Sequence, residues 1–148
     1  MNSTQTPYVT FRCGDSLFGI DIGCVQEINR CLSLTSIPLA PPFVRGVANL
    51  RGDVVTMLDL RILMEQPRVE SNIHQRSLIL HSDGETFGLW VDSVSDIVEI
   101  DSDDIVSPPS NIEPSVARLV LGVYSHDSRL ILLLDPDALF ATTVSLER

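Results

Sequence analysis

The strongest constraint on this chain is that it spells one pattern twice. The run Phe18-Gly-Ile-Asp-Ile-Gly-Cys-Val-Gln-Glu-Ile28 returns 69 residues later as Phe87-Gly-Leu-Trp-Val-Asp-Ser-Val-Ser-Asp-Ile97. Phe18 meets Phe87, Gly19 meets Gly88, Val25 meets Val94, Glu27 meets Asp96 and Ile28 meets Ile97. Further on the offset becomes 76: Gly46-Val47 meets Gly122-Val123, Val54–Leu58 meets Leu130–Leu134, and Asp59 meets Asp135. The change of seven residues fits an insertion in the middle of one copy. Two copies are too few for a solenoid, so the pattern predicts two related halves of one compact unit.

Each half has the same grammar. An apolar run (Tyr8–Cys13, Ser77–His81) meets a turn (Gly14-Asp15, Asp83-Gly84-Glu85) and then a second apolar run (Leu17–Ile22, Thr86–Val91). Gly beside Asp between apolar runs is hairpin chemistry. Val25 and Ile28, like Val94 and Ile97, stand three apart and predict a short helical turn leading into extended chain. Proline-rich loops at 37–42 and 107–109 break regular structure. A hairpin then ends in an aliphatic strand, closed by Asp59 or Asp135. Both aspartates suit a helix N-cap, and Pro136 suits a first helical position. Many short strands and few helices predict a mainly β protein built of small barrels. The expected domain spans 7–141, with halves at about 8–65 and 77–141 that exchange strands. Gln66–Gln75 is the connector, and 1–6 and 142–148 are expected to be flexible ends.

Size and charge narrow the function. A chain of 148 residues buries roughly 68–70% of its unfolded surface and needs no metal or disulfide staple. The longest aliphatic run, Leu130–Leu134, is far short of the ~20 residues of a membrane helix, and the first residues lack the pattern of a secretion signal. A cytoplasmic protein without direct membrane insertion is expected. Twenty acidic residues against ten basic ones, all Arg, give a net charge of −10. Nucleic acid, which needs clustered positive charge, is not expected as a partner. Cys13, Cys24 and Cys31 include no Cys-x-x-Cys spacing, and His74, His81 and His126 form no metal pair, so no metal site and no cofactor are expected. No GxGxxG, GxxxxGK[ST] or GxSxG motif is present. The residues point to a noncatalytic protein.

If both halves share a scaffold, function belongs where they differ. Gly46-Val-Ala-Asn-Leu-Arg-Gly-Asp53 stands against Gly122-Val-Tyr-Ser-His-Asp-Ser-Arg129, which keeps Gly-Val and loses Asn49, Arg51 and Gly52. Gly52-Asp53 can turn the chain, placing Arg51 beside the turn. Its guanidinium suits a carboxylate on another surface. It equally suits an internal partner such as Glu27, Asp53 or Asp59.

Taken together, Phe18-Gly-Ile-Asp-Ile, Val25-Gln-Glu-Ile28, Ile37-Pro-x-Ala-Pro, Gly46-Val-x-Asn-Leu-Arg-Gly52, Asp59-Leu-Arg61, Phe87–Ile97 and Ile131–Asp135 resemble the CheW chemotaxis coupling proteins, from about Tyr8 to Phe140. The chain departs from the common pattern at Thr56 and Asp53. The resemblance implies two five-stranded SH3-like β-barrel subdomains with a few short helices. It implies a noncatalytic adaptor joining the cytoplasmic tip of a methyl-accepting chemoreceptor to the regulatory domain of a CheA-type histidine kinase. It also implies recruitment to membrane-associated receptor arrays, where self-association is a further expectation. Carried over by motif, Val25, Glu27, Asn49 and Arg51 face the receptor, and Gly46 and Gly52 shape the loop. Relatives also serve chemosensory pathways controlling pili, surface growth or second messengers. A ligand-sensing β-barrel module, with Trp90 or Phe87 lining a groove, is the alternative of a different class.

Overall fold

The computed structural model describes residues 5–30 and 32–144. Ten strands form two five-stranded sheets: β1 (Gln5–Cys13), β2 (Ser16–Asp21), β3 (Val25–Arg30), β4 (Val44–Leu50), β5 (Asp53–Asp59), β6 (Arg76–Ser82), β7 (Glu85–Val91), β8 (Ser93–Asp101), β9 (Val120–His126) and β10 (Arg129–Leu134). Three short helices, α1 (Leu60–Leu63), α2 (Pro114–Ala117) and α3 (Pro136–Val144), complete the described chain. Gln5 and Thr6 belong to β1 and α3 runs on to Val144, so the ends expected to be flexible are in part regular structure. Residues 1–4 and 145–148 lie outside the described residues, as does Cys31.

One sheet runs β8-β1-β2-β10-β9 and the other β3-β6-β7-β5-β4. Each draws strands from both halves of the sequence. The first hairpin of each half is threaded into the sheet that holds the second hairpin of the other half. Exchanging repeat-equivalent strands turns one sheet order into the other. The registers obey the same exchange. Gly19 faces Leu133 in the parallel β2–β10 pair, as Gly88 faces Met57 in β7–β5. The irregularity between Val9 and Phe11 opposite β8 recurs opposite Val25 and Glu27 on β3. The sequence repeat is therefore a pseudo-twofold relation between two barrels.

Alternation along the strands sorts side chains into two kinds of core. Val9, Phe11, Phe18 and Ile20 from one sheet meet Leu78, Leu80, Phe87, Leu89 and Leu58 from the other in the central cluster. The opposite faces fill the barrels: Tyr8, Val98, Ile100, Ile131 and Leu133 in one, and Ala48, Val55, Met57, Ile79 and Trp90 in the other. Trp90 is thus a barrel-core residue, and Phe87 is buried between the sheets. The period of two required by a strand is what lets one run serve both cores.

Each barrel closes where chain following its edge strand crosses the opposite edge. Thr35 bridges Val47 on β4, and Val106 bridges Val123 on β9. The crossings need glycine. A Cβ on Gly46, at φ +151°, would lie 2.7 Å from the Thr35 carbonyl oxygen, and one on Gly122 would lie 2.9 Å from that of Val106. Val25 and Ile28 lie in β3, and Val94 and Ile97 in β8, in place of the expected helical turn. A 3-10 turn comes earlier, at Ile22–Cys24, where Asp21 accepts the N–H of Gly23. A bulge in an extended strand mimics the three-residue spacing.

Polar clamps lock the ends of the elements. Asp59 stands at the N-cap of α1 and accepts the Arg61 N–H at 3.1 Å. Its buried carboxylate also takes Arg45 at 2.9 Å and Arg68 at 3.1 Å, and the Arg45 guanidinium lies 4.6 Å over the Trp90 ring. Asp135 precedes α3 and accepts the Asp137 N–H at 3.0 Å. Arg61 forks onto Asp92 at 2.9 and 2.8 Å, and Asp92 accepts the Gly14 N–H at 2.8 Å, tying α1 to the first hairpin. No described helix is long and apolar enough to cross a membrane.

Two stability outcomes are expected in urea titrations. Gly46→Val and Gly122→Val should each lose about 1–3 kcal/mol, because the new atoms meet the Thr35 backbone oxygen at Gly46, and both Ile105 Cγ2 and the Val106 backbone oxygen at Gly122. Asp59→Ala, which strips two arginines of a buried partner, should lose about 3–5 kcal/mol.

Candidate functional site

Residues 50–53 form the tip of the β4–β5 hairpin. Leu50 and Asp53 pair across it, and Arg51 (φ +52°) and Gly52 (φ +93°) both hold positive φ. That is a type I′ turn, whose twist matches the flanking strands. Gly52 fits because its φ carries no Cβ penalty. The exposed Asn49 contributes its Oδ1 as acceptor for the Gly52 N–H at 3.0 Å, so its side chain holds the turn from within. The equivalent β9–β10 tip uses Asp127 (φ +49°) and Ser128 (φ +64°).

The turn sets Arg51 over β3. Its two terminal nitrogens donate to the two carboxylate oxygens of Glu27 in a fork, one contact being 3.3 Å. The internal pairing open to Arg51 on sequence grounds is therefore made, with Glu27. The pair lies at the surface: the Arg51 side chain is 66% exposed and that of Glu27 23%. The hydrogen bond from Arg51 holds the Glu27 carboxyl below its ordinary value, and Glu27 in turn raises the Arg51 guanidinium.

Val25 and Ile28 lie on the same strand. Val25 is half-buried against the central cluster, as is its equivalent Val94. Ile28 is 42% exposed and its equivalent Ile97 is 59% exposed. The four meet in one open groove of about 470 Å³, completed by Val9, Ile22, Glu27 and Ser95. The groove lies between β3 and β8, across the pseudo-twofold relation, with Glu27, the partner of Arg51, in its lining. Val25, Glu27 and Arg51 are thus brought together. Asn49 and Gly52 shape the turn that presents Arg51, while Gly46 works farther back at the barrel closure. The repeat matches Ile28 with Ile97 in sequence without giving either a surface role; the structure leaves both exposed on the groove.

Neither of the two described cysteines, Cys13 and Cys24, carries a lowered thiol. Cys13 is buried, and desolvation first, then the charge of Asp92, pushes its thiol up to about 12 despite the opposing effect of Arg61. Burial also raises Cys24. A nucleophilic thiolate needs the opposite shift. Among the described residues, no three His, Cys, Asp or Glu side chains gather as a metal cluster. His81 is exposed on β6, His74 lies in the connector, and His126 sits 3.5 Å from Asp127.

The Glu27 assignment is open to carbon-detected NMR titration. Its carboxyl should titrate below the ordinary glutamate range in the wild type and move up in Arg51→Ala. Because the folded value is depressed, any stability the pair supplies is present above the unfolded value and fades as pH falls through the folded one. The exposed position of Arg51 means its removal should leave the melting temperature at neutral pH nearly unchanged.

The model of the CheW-like domain matches residues 7–144. A protein named chemotaxis protein CheW from Treponema pallidum (strain Nichols) is 30% identical over 146 residues, covering 96% of this chain and 86% of that one. One of the same name from Rhizobium meliloti (strain 1021) is 34% identical over 135 residues, covering 89% and 85%. The crystal structure of the scaffolding protein TtCheW from Thermoanaerobacter tengcongensis superposes with a TM-score of 0.81 at 29% identity, covering 89% of this chain and 90% of that one. Match length, sequence identity and superposed fold agree: this chain belongs to the CheW-like domain family.

Proposed function

We infer that the protein is a noncatalytic adaptor of a chemosensory complex, coupling the cytoplasmic tip of a chemoreceptor to the regulatory domain of a CheA-type histidine kinase. The observation that carries this reading is the open apolar groove between β3 and β8, flanked by a forked surface ion pair. Such a groove suits a helix that lays an apolar stripe into it. Val25, with Ile28 and Ile97, supplies apolar contact. Glu27 and Arg51 supply directional polar groups, Asn49 and Gly52 fix the hairpin tip, and Gly46 keeps its strand in place. The relatives named as chemotaxis proteins, and the structural neighbour titled a scaffolding protein, support the role. Residues 7–141 act here as one unit, since each sheet needs strands from both halves. The protein works in the cytoplasm and joins membrane-associated arrays through its partners.

The test is binding of the full chain, by calorimetry, to a kinase regulatory domain and to a receptor cytoplasmic fragment. Wild type should bind both. Val25→Asp should weaken the receptor arm by roughly tenfold or more, since one charge in a small apolar contact removes much of its energy, and Arg51→Ala should weaken that arm less. Both variants should keep the kinase arm. Failure of the wild type to bind either partner across several candidate pairs would overturn the reading.

A further inference from the structure

One level of the barrel interior differs between the two halves of the pseudo-twofold. In the barrel closed at β4, the pairing registers set Asn29 on β3 beside Ser77 on β6, Ser77 beside Trp90 on β7, and Trp90 beside Asp59 on β5. Residues paired in register share a face of the sheet, so the four side chains form one row across the interior. Ser77 is fully buried and Trp90 is 4% exposed. Among the described residues, neither the Ser77 hydroxyl nor the Trp90 Nε1–H has a hydrogen-bond partner. The Asn29 Nδ2 on the other side of Ser77 is buried without a partner in bonding geometry, while its amide favours the charged Glu27 carboxylate. The Asp59 carboxylate, last in the row, is already taken by the Arg61 N–H, Arg45 and Arg68. The buried side-chain atoms that lack a partner among the described residues are thus three, and all three stand in this row. The repeat equivalents of Asn29, Ser77 and Trp90 are Val98, Tyr8 and Asp21. Val98 has no polar group to satisfy, and Asp21 accepts the Gly23 N–H.

Buried polar groups without a partner are rare and costly in native proteins. Three of them side by side point to one shared partner rather than to three separate defects. They make no direct bonds to one another, although antiparallel cross-strand neighbours have Cβ atoms only about 4.5–5.5 Å apart. A gap of that kind between polar groups suits one bridging water. The indole N–H and the Asn29 Nδ2 only donate, whereas water both accepts and donates. It takes the indole proton and returns one of its own to the Ser77 oxygen. The apolar neighbours of Trp90 (Ala48, Val55, Met57 and Ile79) and the Arg45 guanidinium over its ring leave the row enclosed, which suits a small neutral ligand. We propose that this barrel holds an ordered water between Ser77 and Trp90, bound by the hydroxyl and the indole N–H, with the Asn29 amide beside it. The site ties β3, β6 and β7 together from within, behind the strand whose opposite face gives Ile28 to the groove. It belongs to one barrel and not its equivalent, and it stands apart from the adaptor reading.

Trp90 is the single tryptophan of the chain, so its indole proton gives one assignable NMR signal. In the nitrogen-15-labelled full chain that proton should show a cross-peak to water with the sign that marks a long-lived bound molecule. A thermal melt of Ser77→Ala supplies the second readout. Loss of a hydroxyl that bonds the water should lower the melting temperature by roughly 2–5 °C for a chain of this size. The direction of the shift is decisive. A hydroxyl buried with nothing to bond carries only its desolvation cost, and its removal would raise the melting temperature or leave it unchanged. The cross-peak together with a lowered melting temperature supports the proposal. Absence of the cross-peak in the wild type overturns it, and so does a melting temperature that Ser77→Ala raises or does not move.

Discussion

The molecule depends on the apolar contact between its two sheets. Phe11 and Phe18 on one side and Leu78, Leu80, Phe87 and Leu89 on the other are essentially removed from water. A fully buried side chain of this kind contributes about 1.5–3 kcal/mol, so a few of them outweigh any surface clamp. Because the first hairpin of each half sits in the sheet completed by the other half, neither barrel can form without the other. The parallel pairs β2–β10 and β5–β7 are where this exchange is sewn. Parallel neighbours demand a long connection, and here residues 60–84 join β5 to β7 and residues 22–128 join β2 to β10.

That arrangement decides what kind of surface the protein can offer. Duplicated halves related by a pseudo-twofold bring equivalent strands, β3 and β8, to face each other across a groove. Val25 and Val94, then Ile28 and Ile97, line it as matched pairs. The scaffold alone would make a symmetric site. Asymmetry enters through side chains on the hairpin tips, with Arg51 at one and Asp127 at the other. In one mouth Arg51 pairs with Glu27; in the other the same two positions are Asp127 and Asp96. An adaptor must seat its partner in one orientation, and divergence within a duplicated frame is a direct physical route to that.

Much of this was legible in the residues. The offsets of 69 and 76 give the strand equivalences, and the registers repeat them, bulge for bulge. Gly52 beside Asp53 marks its hairpin because the turn needs positive φ, and Asp59 marks the helix start because a short carboxylate reaches the first free N–H groups. The mistaken helical turn at Val25 and Ile28 has a clear cause: a bulge shifts an extended strand by one residue and imitates a three-residue period. The second role of Asp59 was not legible. Arg45 and Arg68 reach it from segments 14 residues before and nine after, and no local pattern records that convergence.

The sequence by itself determined the repeat, the β-rich class, the hairpin turns and the family, because these are written in spacing and in residue types that only certain backbone angles tolerate. Tertiary structure alone decided which hairpins the halves exchange, that Arg51 is satisfied by Glu27 rather than by Asp53 or Asp59, that Asn49 holds its own turn, and that Arg45 and Arg68 converge on Asp59. The reason is common to all four. Each is set by which distant segments the central core brings within a few ångströms, and burial, which drives that assembly, has magnitude but no direction along the chain.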